Sequence, residues 1–141
     1  MARILIAVDG SAPSLRALEF GASLAAKLGV GVVLLHAMPR VVLPVGGVGP
    51  GALSELQRTL QAESSRLLTS LANKAHAYGV EVETEVGMGE AALTIYDRSE
   101  APDIQMVVMG SRGQRAVAQL LLGSVASHVV HTATKPVVVV R

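Results

Sequence analysis

Apolar residues gather in five short runs along the chain, and polar or glycine-rich segments separate these runs. Each run has the length and aliphatic composition of a β-strand, which predicts strands at residues 4–8, 30–38, 80–86, 104–109 and 136–140. Helices are predicted between them, because leucine and alanine recur there at three- and four-residue spacing. The resulting β-α-β-α-β-α-β-α-β order is typical of a parallel sheet with right-handed crossovers.

Capping and turn residues bound the predicted helices. Ser11 is a favourable N-cap for the first helix and Pro13 suits its first turn, while Gly29 suits its end. Gly79 stops the long second helix, whose leucine stripe begins at Leu53. The third and fourth helices are predicted at about residues 90–99 and 123–132.

The third strand differs from the others because valine alternates with glutamate along it. Glu81, Glu83 and Glu85 fall on one side, which predicts a strand at the edge of the sheet. The fifth strand contains four successive valines, and as a free sheet edge it would be an aggregation hazard. We therefore expect a homodimer that pairs through Val137–Val140.

Composition narrows the classes of function. Half of the residues are hydrophobic and only 2% are aromatic, so the core is aliphatic and no aromatic platform is expected for stacking single-stranded nucleic acid. The formal net charge of +1 argues against nucleic acid as a partner. Cysteine is absent, which excludes disulfides, a thiol nucleophile and a cysteine zinc site.

The chain is expected to form a single domain over residues 1–141. Its apolar runs are too short for a signal peptide or a membrane-spanning helix, so we expect a cytoplasmic protein with no membrane contact. Residues 39–51 are linker-like, with Pro44, Pro50 and four glycines, and we expect them to be exposed and mobile.

Glycines that follow the fourth predicted strand in the chain mark the candidate ligand site. Gly110-Ser111-Arg112-Gly113 is followed nine residues later by Gly123-Ser124, which gives the spacing G-x2-G-x9-G-S. Glycine lets the backbone pass close to a ligand, and a helix that begins at Gly123 offers free N–H groups and a positive dipole end to an anion. Strand, loop and helix together predict a phosphate cradle, with ATP the favoured ligand.

The position of this loop in the sheet strengthens the prediction. If the strand order is 3-2-1-4-5, the order reverses between the first and fourth strands, and ligands bind beyond the carboxyl ends of the strands at that point. Those two strands end at Asp9 and Gly110. The carboxylate and the glycine loop would then converge on one crevice.

Simpler interpretations of these residues stay open. The glycine motif could be a connecting loop with a Gly-Ser helix cap, and Asp9 could simply cap the first helix. Arg112 and Arg115 could be solvated loop charges, or Arg112 could bind phosphate.

One other glycine pattern is interpreted as structural. Gly87-x-Gly89-x-x-Ala92 fits the dinucleotide-binding fingerprint, but it follows the third strand rather than the first, and Asp103 precedes the next strand instead of ending it. No phosphate-loop motif of the G-x-x-x-x-G-K-[ST] type is present.

The histidines are interpreted as packing or surface residues. His128 and His131 are spaced i, i+3, and no cysteine or carboxylate cluster completes a metal site with them. A hydrolase triad of Ser111, His36 and Asp9 is conceivable, although the G-x-S-x-G motif is absent.

The chain resembles the universal stress protein family over nearly its whole length. The matching segments are Ile4-Leu5-Ile6-Ala7-Val8-Asp9-Gly10-Ser11, Leu34-Leu35-His36, Val107-Val108-Met109-Gly110-Ser111-Arg112-Gly113, Leu121-Leu122-Gly123-Ser124-Val125-Ala126 and Lys135-Pro136-Val137-Val138-Val139-Val140. The spaced glycine motif is specific to the ATP-binding branch of that family. The resemblance implies an α/β, Rossmann-like, open five-stranded parallel sheet of order 3-2-1-4-5, with helices on both faces.

The resemblance also implies ATP at the switch point, with Mg²⁺ or Mn²⁺ held mainly by the phosphates. Asp9 would lie by the ribose or the metal, Ala37 would offer its backbone to the adenine edge, and the Gly123 helix start would bind phosphate oxygens. The implied binding residues are Ala7, Val8, Asp9, Ala37, Met109, Gly110, Arg112, Gly113, Gly123, Ser124 and Val125. Two features depart from the family pattern: Arg112 stands where histidine is also common, and the 39–51 segment is unusually rich in glycine.

The expected function is a nucleotide-dependent regulatory module of a stress response. Asp9 is the one apparent general base, so ATP hydrolysis is expected to be slow at most. Two alternatives remain: a structural dimerising partner with a non-functional pocket, and a true ATPase or nucleotide hydrolase. The sequence names no protein partner.

Overall fold

A computed structural model describes residues 1–40, 46, 49–113 and 122–141 of the chain. Within them the predicted order of strands and helices is confirmed. The strands are β1 (Arg3–Ala7), β2 (Gly31–Met38), β3 (Val82–Met88), β4 (Ile104–Gly110) and β5 (Val137–Val140), and the helices are α1 (Ala12–Leu28), α2 (Pro50–His76), α3 (Ala91–Ser99) and α4 (Ser124–Thr132). Most of the predicted 39–51 linker lies outside the described residues, as does Arg115.

The ends of α1 follow from its capping residues. The Ser11 hydroxyl accepts a hydrogen bond from the backbone N–H of Ser14 at 3.3 Å, and Gly29 leaves the helix with a left-handed φ of +70°. α2 ends at His76 rather than at residue 78, because the chain turns there and the N–H of Gly79 bonds the His76 carbonyl at 2.9 Å.

All five strands are parallel, and their order is β3-β2-β1-β4-β5. The predicted fold class is therefore confirmed, including the reversal of strand order between β1 and β4. β3 begins and ends two residues later than predicted. β2 continues to Met38, which pairs with Met88. β3 therefore extends beyond residue 86, where the alternation of valine and glutamate ends.

The core is aliphatic and lies in two layers, one on each face of the sheet. Even-numbered strand residues such as Ile4 and Leu34 pack under α1 and α2. Odd-numbered residues such as Leu5, Val33 and Val107 pack under α3 and α4. Successive side chains of a strand point to opposite faces, which explains this division. Helices cover both faces, as predicted.

The two edges of the sheet have different chemistry. β3 forms one edge, as predicted, and Glu83 and Glu85 on this strand are held in ion pairs. β5 forms the other edge and consists of four half-buried valines. Among the described residues, no helix is both long enough and apolar enough to cross a membrane.

Candidate functional site

A cavity of about 410 Å³ opens at the carboxyl ends of β1 and β4, where the strand order reverses. This is the position at which open parallel sheets bind ligands. All of the predicted binding residues line this one cavity: Ala7, Val8, Asp9, Ala37, Met109, Gly110, Arg112, Gly113, Gly123, Ser124 and Val125. The structure thus brings them together, while their binding of a ligand stays a prediction.

The floor of the cavity is apolar because strand residues alternate between the two faces of the sheet. Ala7, Leu35 and Met109 belong to the layer beneath α3 and α4, and each lines the cavity. α3 adds Ala91 and Ile95 as a side wall. An apolar floor with few polar groups is typical of small-molecule sites.

Five residues that line the cavity were not predicted from the sequence: Ser14, Leu35, Ala91, Ile95 and Ala126. Leu35 lies two positions before Ala37 on the same strand, so the period of a β-strand could have identified it. Ala126 lies in the first turn of α4, directly after the predicted Gly123–Val125 group. Ala91 and Ile95 line the cavity only because α3 packs where it does.

Asp9 lies in a turn that fixes its carboxylate. Oδ1 accepts a hydrogen bond from the backbone N–H of Ser11 at 2.9 Å, and the Asp9 N–H donates to the Ser14 hydroxyl at 3.2 Å. The N-cap of α1 is Ser11. The simpler interpretation of Asp9 as the helix cap is therefore wrong, because its side chain bonds the cap residue instead of the helix.

The glycine loop passes directly over this carboxylate. A β-carbon on Gly113 would lie 2.7 Å from Asp9 Oδ2, closer than any real contact of that kind. Gly110 is equally confined, since its β-carbon would lie 2.9 Å from the backbone carbon of Pro13. The two glycines therefore allow the end of β4 to approach both Asp9 and the first turn of α1.

The start of α4 forms the opposite wall of the cavity. Gly123 is the N-cap residue, so no cap side chain can satisfy the first N–H groups of the helix. The Gly123 N–H itself bonds the Ser111 carbonyl at 2.6 Å, which anchors the helix start to the glycine loop. The positive end of the α4 dipole and its first-turn N–H groups suit an anion.

Asp9 and Arg112 are the charged groups among the described lining residues. No group of three or more histidine, cysteine, aspartate or glutamate side chains suitable for a metal occurs in the described ranges. The chemistry of the described wall therefore suits a ligand that has an apolar part and an anionic part.

The residues of the conceivable hydrolase triad do not share the cavity, which is lined by Asp9 alone among them. His36 lies on the α1 and α2 face of β2, where its Nδ1 is 2.8 Å from the Val8 carbonyl oxygen. Ser111 is buried, and neither residue lines the cavity. His128 and His131 are exposed on α4, in keeping with a surface role.

The Gly87–Gly89 turn does not reach this cavity. It ends the edge strand β3 and borders a separate groove of about 360 Å³ with Pro39, Arg40, Met88, Glu90, Leu93 and Thr94. A β-carbon on Gly87 would overlap the γ-methyl group of Thr94, so this glycine permits close packing of α3 on β3. The structural interpretation of the Gly87-x-Gly89-x-x-Ala92 pattern agrees with this position.

An ion-pair network centred on Arg98, near the end of α3, was not predicted from the sequence. The Arg98 guanidinium donates to both carboxylate oxygens of Asp103, at 3.0 and 3.1 Å, and its Nε donates to Glu85 at 2.9 Å. The hydrogen bonds from Arg98 lower the pKa of Asp103, and the bond to Asp103 raises the pKa of Arg98 despite its burial. Arg3 extends the network to Glu83 at 2.6 Å.

Comparison with known proteins identifies relatives along the whole chain. The model of the universal stress protein family matches residues 1–141. A universal stress protein of Bacillus subtilis is 29% identical, with 99% of this chain and 98% of that protein covered. One from Mycolicibacterium smegmatis is 35% identical over 98% of this chain, which spans only 47% of that longer protein.

Among solved structures, a universal stress protein of Archaeoglobus fulgidus in complex with dAMP is similar, with a TM-score of 0.70 and 26% identity. The alignment covers 100% of this chain and 98% of that one. The family model and these relatives confirm the family resemblance inferred from the sequence. The chain belongs to the universal stress protein family.

Proposed function

We propose that this protein binds ATP in the cavity between β1 and β4 and acts as a nucleotide-dependent regulatory module in a stress response. The observation that carries the proposal is the start of α4, where a glycine N-cap leaves N–H groups for an anion. The same cavity has an apolar floor that suits a nucleobase. A nucleotide combines these two parts in one molecule.

In the proposed complex the base lies over Leu35 and beside the backbone of Ala37. The Asp9 carboxylate accepts a hydrogen bond from the ribose or faces a phosphate-bound cation. The phosphates lie against the glycine loop and the start of α4, where Arg112 and Ser124 supply a positive charge and a hydroxyl group. Gly113 and Gly123 keep side chains out of this space.

Mg²⁺ or Mn²⁺ is proposed to enter with the nucleotide rather than before it. Asp9 is the one carboxylate among the described residues of the cavity, and a single carboxylate is a poor ligand set for a hard divalent cation. Phosphate oxygens would provide most of the coordination. We expect Mg²⁺ alone to bind weakly and Mg²⁺ to strengthen ATP binding.

The related Archaeoglobus fulgidus structure supports an adenine nucleotide as the ligand, because that protein was solved with dAMP. The preference for ATP rests on the G-x2-G-x9-G-S spacing and on the wall that α4 adds beyond the loop. Measured affinities for ATP, ADP and AMP would show which of these nucleotides the protein prefers.

Hydrolysis is proposed to be slow. One oxygen of Asp9 is engaged by the Ser11 N–H, and the cavity offers no second carboxylate or histidine among its described residues to activate water. Sustained phosphate release that Asp9→Asn abolishes without loss of ATP affinity would favour the enzyme alternative instead.

The first experiment is to denature the purified protein and identify the released small molecules by mass spectrometry. Calorimetric titration with ATP, ADP and AMP, each with and without Mg²⁺, then gives affinity and stoichiometry. We expect one nucleotide per chain, with Mg·ATP bound most tightly. Protein that releases no nucleotide and gives no heat with Mg·ATP would overturn the proposal. The alternative of a structural dimerising partner with a non-functional pocket would then remain.

A homodimer through β5 is also proposed. The supporting observation is that this edge strand presents four half-buried valines, in contrast to the charged edge at β3. Light scattering after size exclusion should give twice the monomer mass of 14.6 kDa. A monodisperse monomer at micromolar concentration would contradict pairing through this strand.

A further inference from the structure

We propose that Arg98 is a positioning residue for the ligand cavity, because it holds α3 in the place where that helix forms the cavity wall. The inference rests on the proposed binding of a nucleotide. Arg98 does not line the cavity itself, and it acts through Ala91 and Ile95 on the same helix.

The first step is that α3 is a wall with open space on both sides. Ala91 and Ile95 face the main cavity, while Glu90, Leu93 and Thr94 border the groove next to β3. The helix has nine residues, of which Ala92, Ile95 and Ser99 are buried. A short helix with so little buried apolar surface gains limited stability from packing alone.

The second step is the geometry of Arg98 at the end of α3. Its guanidinium bonds Asp103 through two nitrogens, and its Nε lies within 3.0 Å of both oxygens of Glu85. Asp103 precedes β4 and Glu85 belongs to β3, so one side chain fastens the helix to two separate strands. Only 19% of the Arg98 side chain is exposed, which protects these bonds from solvent.

The third step is a separate support near the other end of α3. Thr94 packs its γ-methyl group onto the backbone of Gly87, where no β-carbon would fit. Besides the core packing of Ala92 and Ile95, the helix thus has one steric contact and one charged contact with neighbouring strands. Loss of either contact would let the wall formed by Ala91 and Ile95 move relative to Leu35 and Ala37.

The test measures ATP binding by calorimetry and amide hydrogen exchange of α3 in the nucleotide-free protein. Arg98→Met removes the charged contact and should raise the Kd for ATP about tenfold, with faster exchange in α3 but not in α1. Arg98→Lys keeps the charge without the planar fork and should recover part of the affinity. Arg66→Met on the exposed side of α2 is the matched control and should change neither quantity.

Tripolyphosphate separates positioning from general destabilisation. It lacks the base, so its binding depends on the glycine loop and α4 rather than on α3. Arg98→Met should therefore weaken ATP while leaving the affinity for tripolyphosphate, measured by competition, within twofold. Equal weakening of both ligands would overturn the inference.

The milder variants Glu85→Gln and Gly87→Ala keep the test decisive if Arg98→Met does not fold. Each loosens one support of α3 and should also raise the Kd for ATP. Unchanged exchange in α3, or faster exchange with unchanged ATP affinity, would contradict the role of Arg98. Wild-type protein that binds no nucleotide would overturn the proposed function, while the exchange measurement would still decide whether Arg98 holds α3.

Discussion

The turns at Gly87–Gly89 and Gly110–Gly113 each follow a parallel strand and lead towards a helix, yet only the second of these two borders the main cavity. The turn at Gly87–Gly89 ends the edge strand β3 and packs against α3. The turn at Gly110–Gly113 ends β4 next to β1, where it meets Asp9 and the start of α4. The difference indicates that the neighbouring strand, rather than the glycine pattern, decides whether such a turn borders the main cavity.

The largest expected effect is on the β4 side of this comparison. Gly123→Val places a β-carbon 3.3 Å from the Ser111 carbonyl oxygen and fills the space proposed for phosphate. We expect ATP affinity to fall by about 100-fold or more, with the fold retained, since such a loss corresponds to roughly 3 kcal/mol. Calorimetry measures the affinity and circular dichroism checks the fold. Unchanged affinity in folded protein would rule out the proposed geometry.

A smaller loss is expected from Asp9→Asn. The amide oxygen can still accept the hydrogen bond from the Ser11 N–H, so the turn is preserved while the charge is lost. ATP affinity should fall by about tenfold, as expected when a hydrogen bond to a charged group is weakened. Asp9→Ala is the control that also removes the turn, and it should in addition lower the free energy of unfolding by about 1 kcal/mol.

On the β3 side of the comparison, the ion pair between Arg98 and Asp103 is expected to contribute to stability as well as to the position of α3. Arg98 holds the pKa of Asp103 below its ordinary value of 3.8. A carboxylate with a lowered pKa in the folded state stabilises the protein above its unfolded-state pKa, and this stability is lost as pH falls through the folded-state pKa. Urea unfolding of Asp103→Asn should show a deficit of about 1 kcal/mol at pH 7 that shrinks below about pH 4. A deficit that is constant between pH 7 and pH 3 would show that the ionised carboxylate is not its source.

The smallest effect should come from Met88→Thr in the β3 turn. Met88 is half exposed and borders the groove rather than the main cavity. The Kd for ATP should stay within twofold of wild type, about 0.4 kcal/mol. A larger change would mean that the Met88 side chain, and not only the contact between Gly87 and Thr94, influences the main cavity.

Much of this architecture follows from local patterns. The alternation of apolar runs with turn residues predicts each strand and helix in order. Ser11 and Gly29 mark the ends of α1, because helix caps depend on adjacent residues. The residues predicted for the site share one cavity because the carboxyl ends of parallel strands meet at one edge of the sheet.

Other features depend on contacts between distant parts of the chain. Arg98 meets Glu85 thirteen residues away and Asp103 five residues away, and neither spacing marks a charged pair. Ala91 and Ile95 have no local feature that distinguishes them from other apolar residues of an amphipathic helix. Their place in the cavity is decided by how α3 packs on the sheet, which no single segment encodes.

One residue, Ser111, connects the outer edge of the sheet to the proposed anion site. The Ser111 N–H bonds the carbonyl of Val140 at 2.7 Å, and the Ser111 carbonyl accepts the N–H of Gly123 at 2.6 Å. If a second subunit pairs with β5, its association and nucleotide binding both involve the backbone of Ser111. Thermodynamic linkage then requires that any factor by which ATP tightens the dimer equals the factor by which dimerisation tightens ATP.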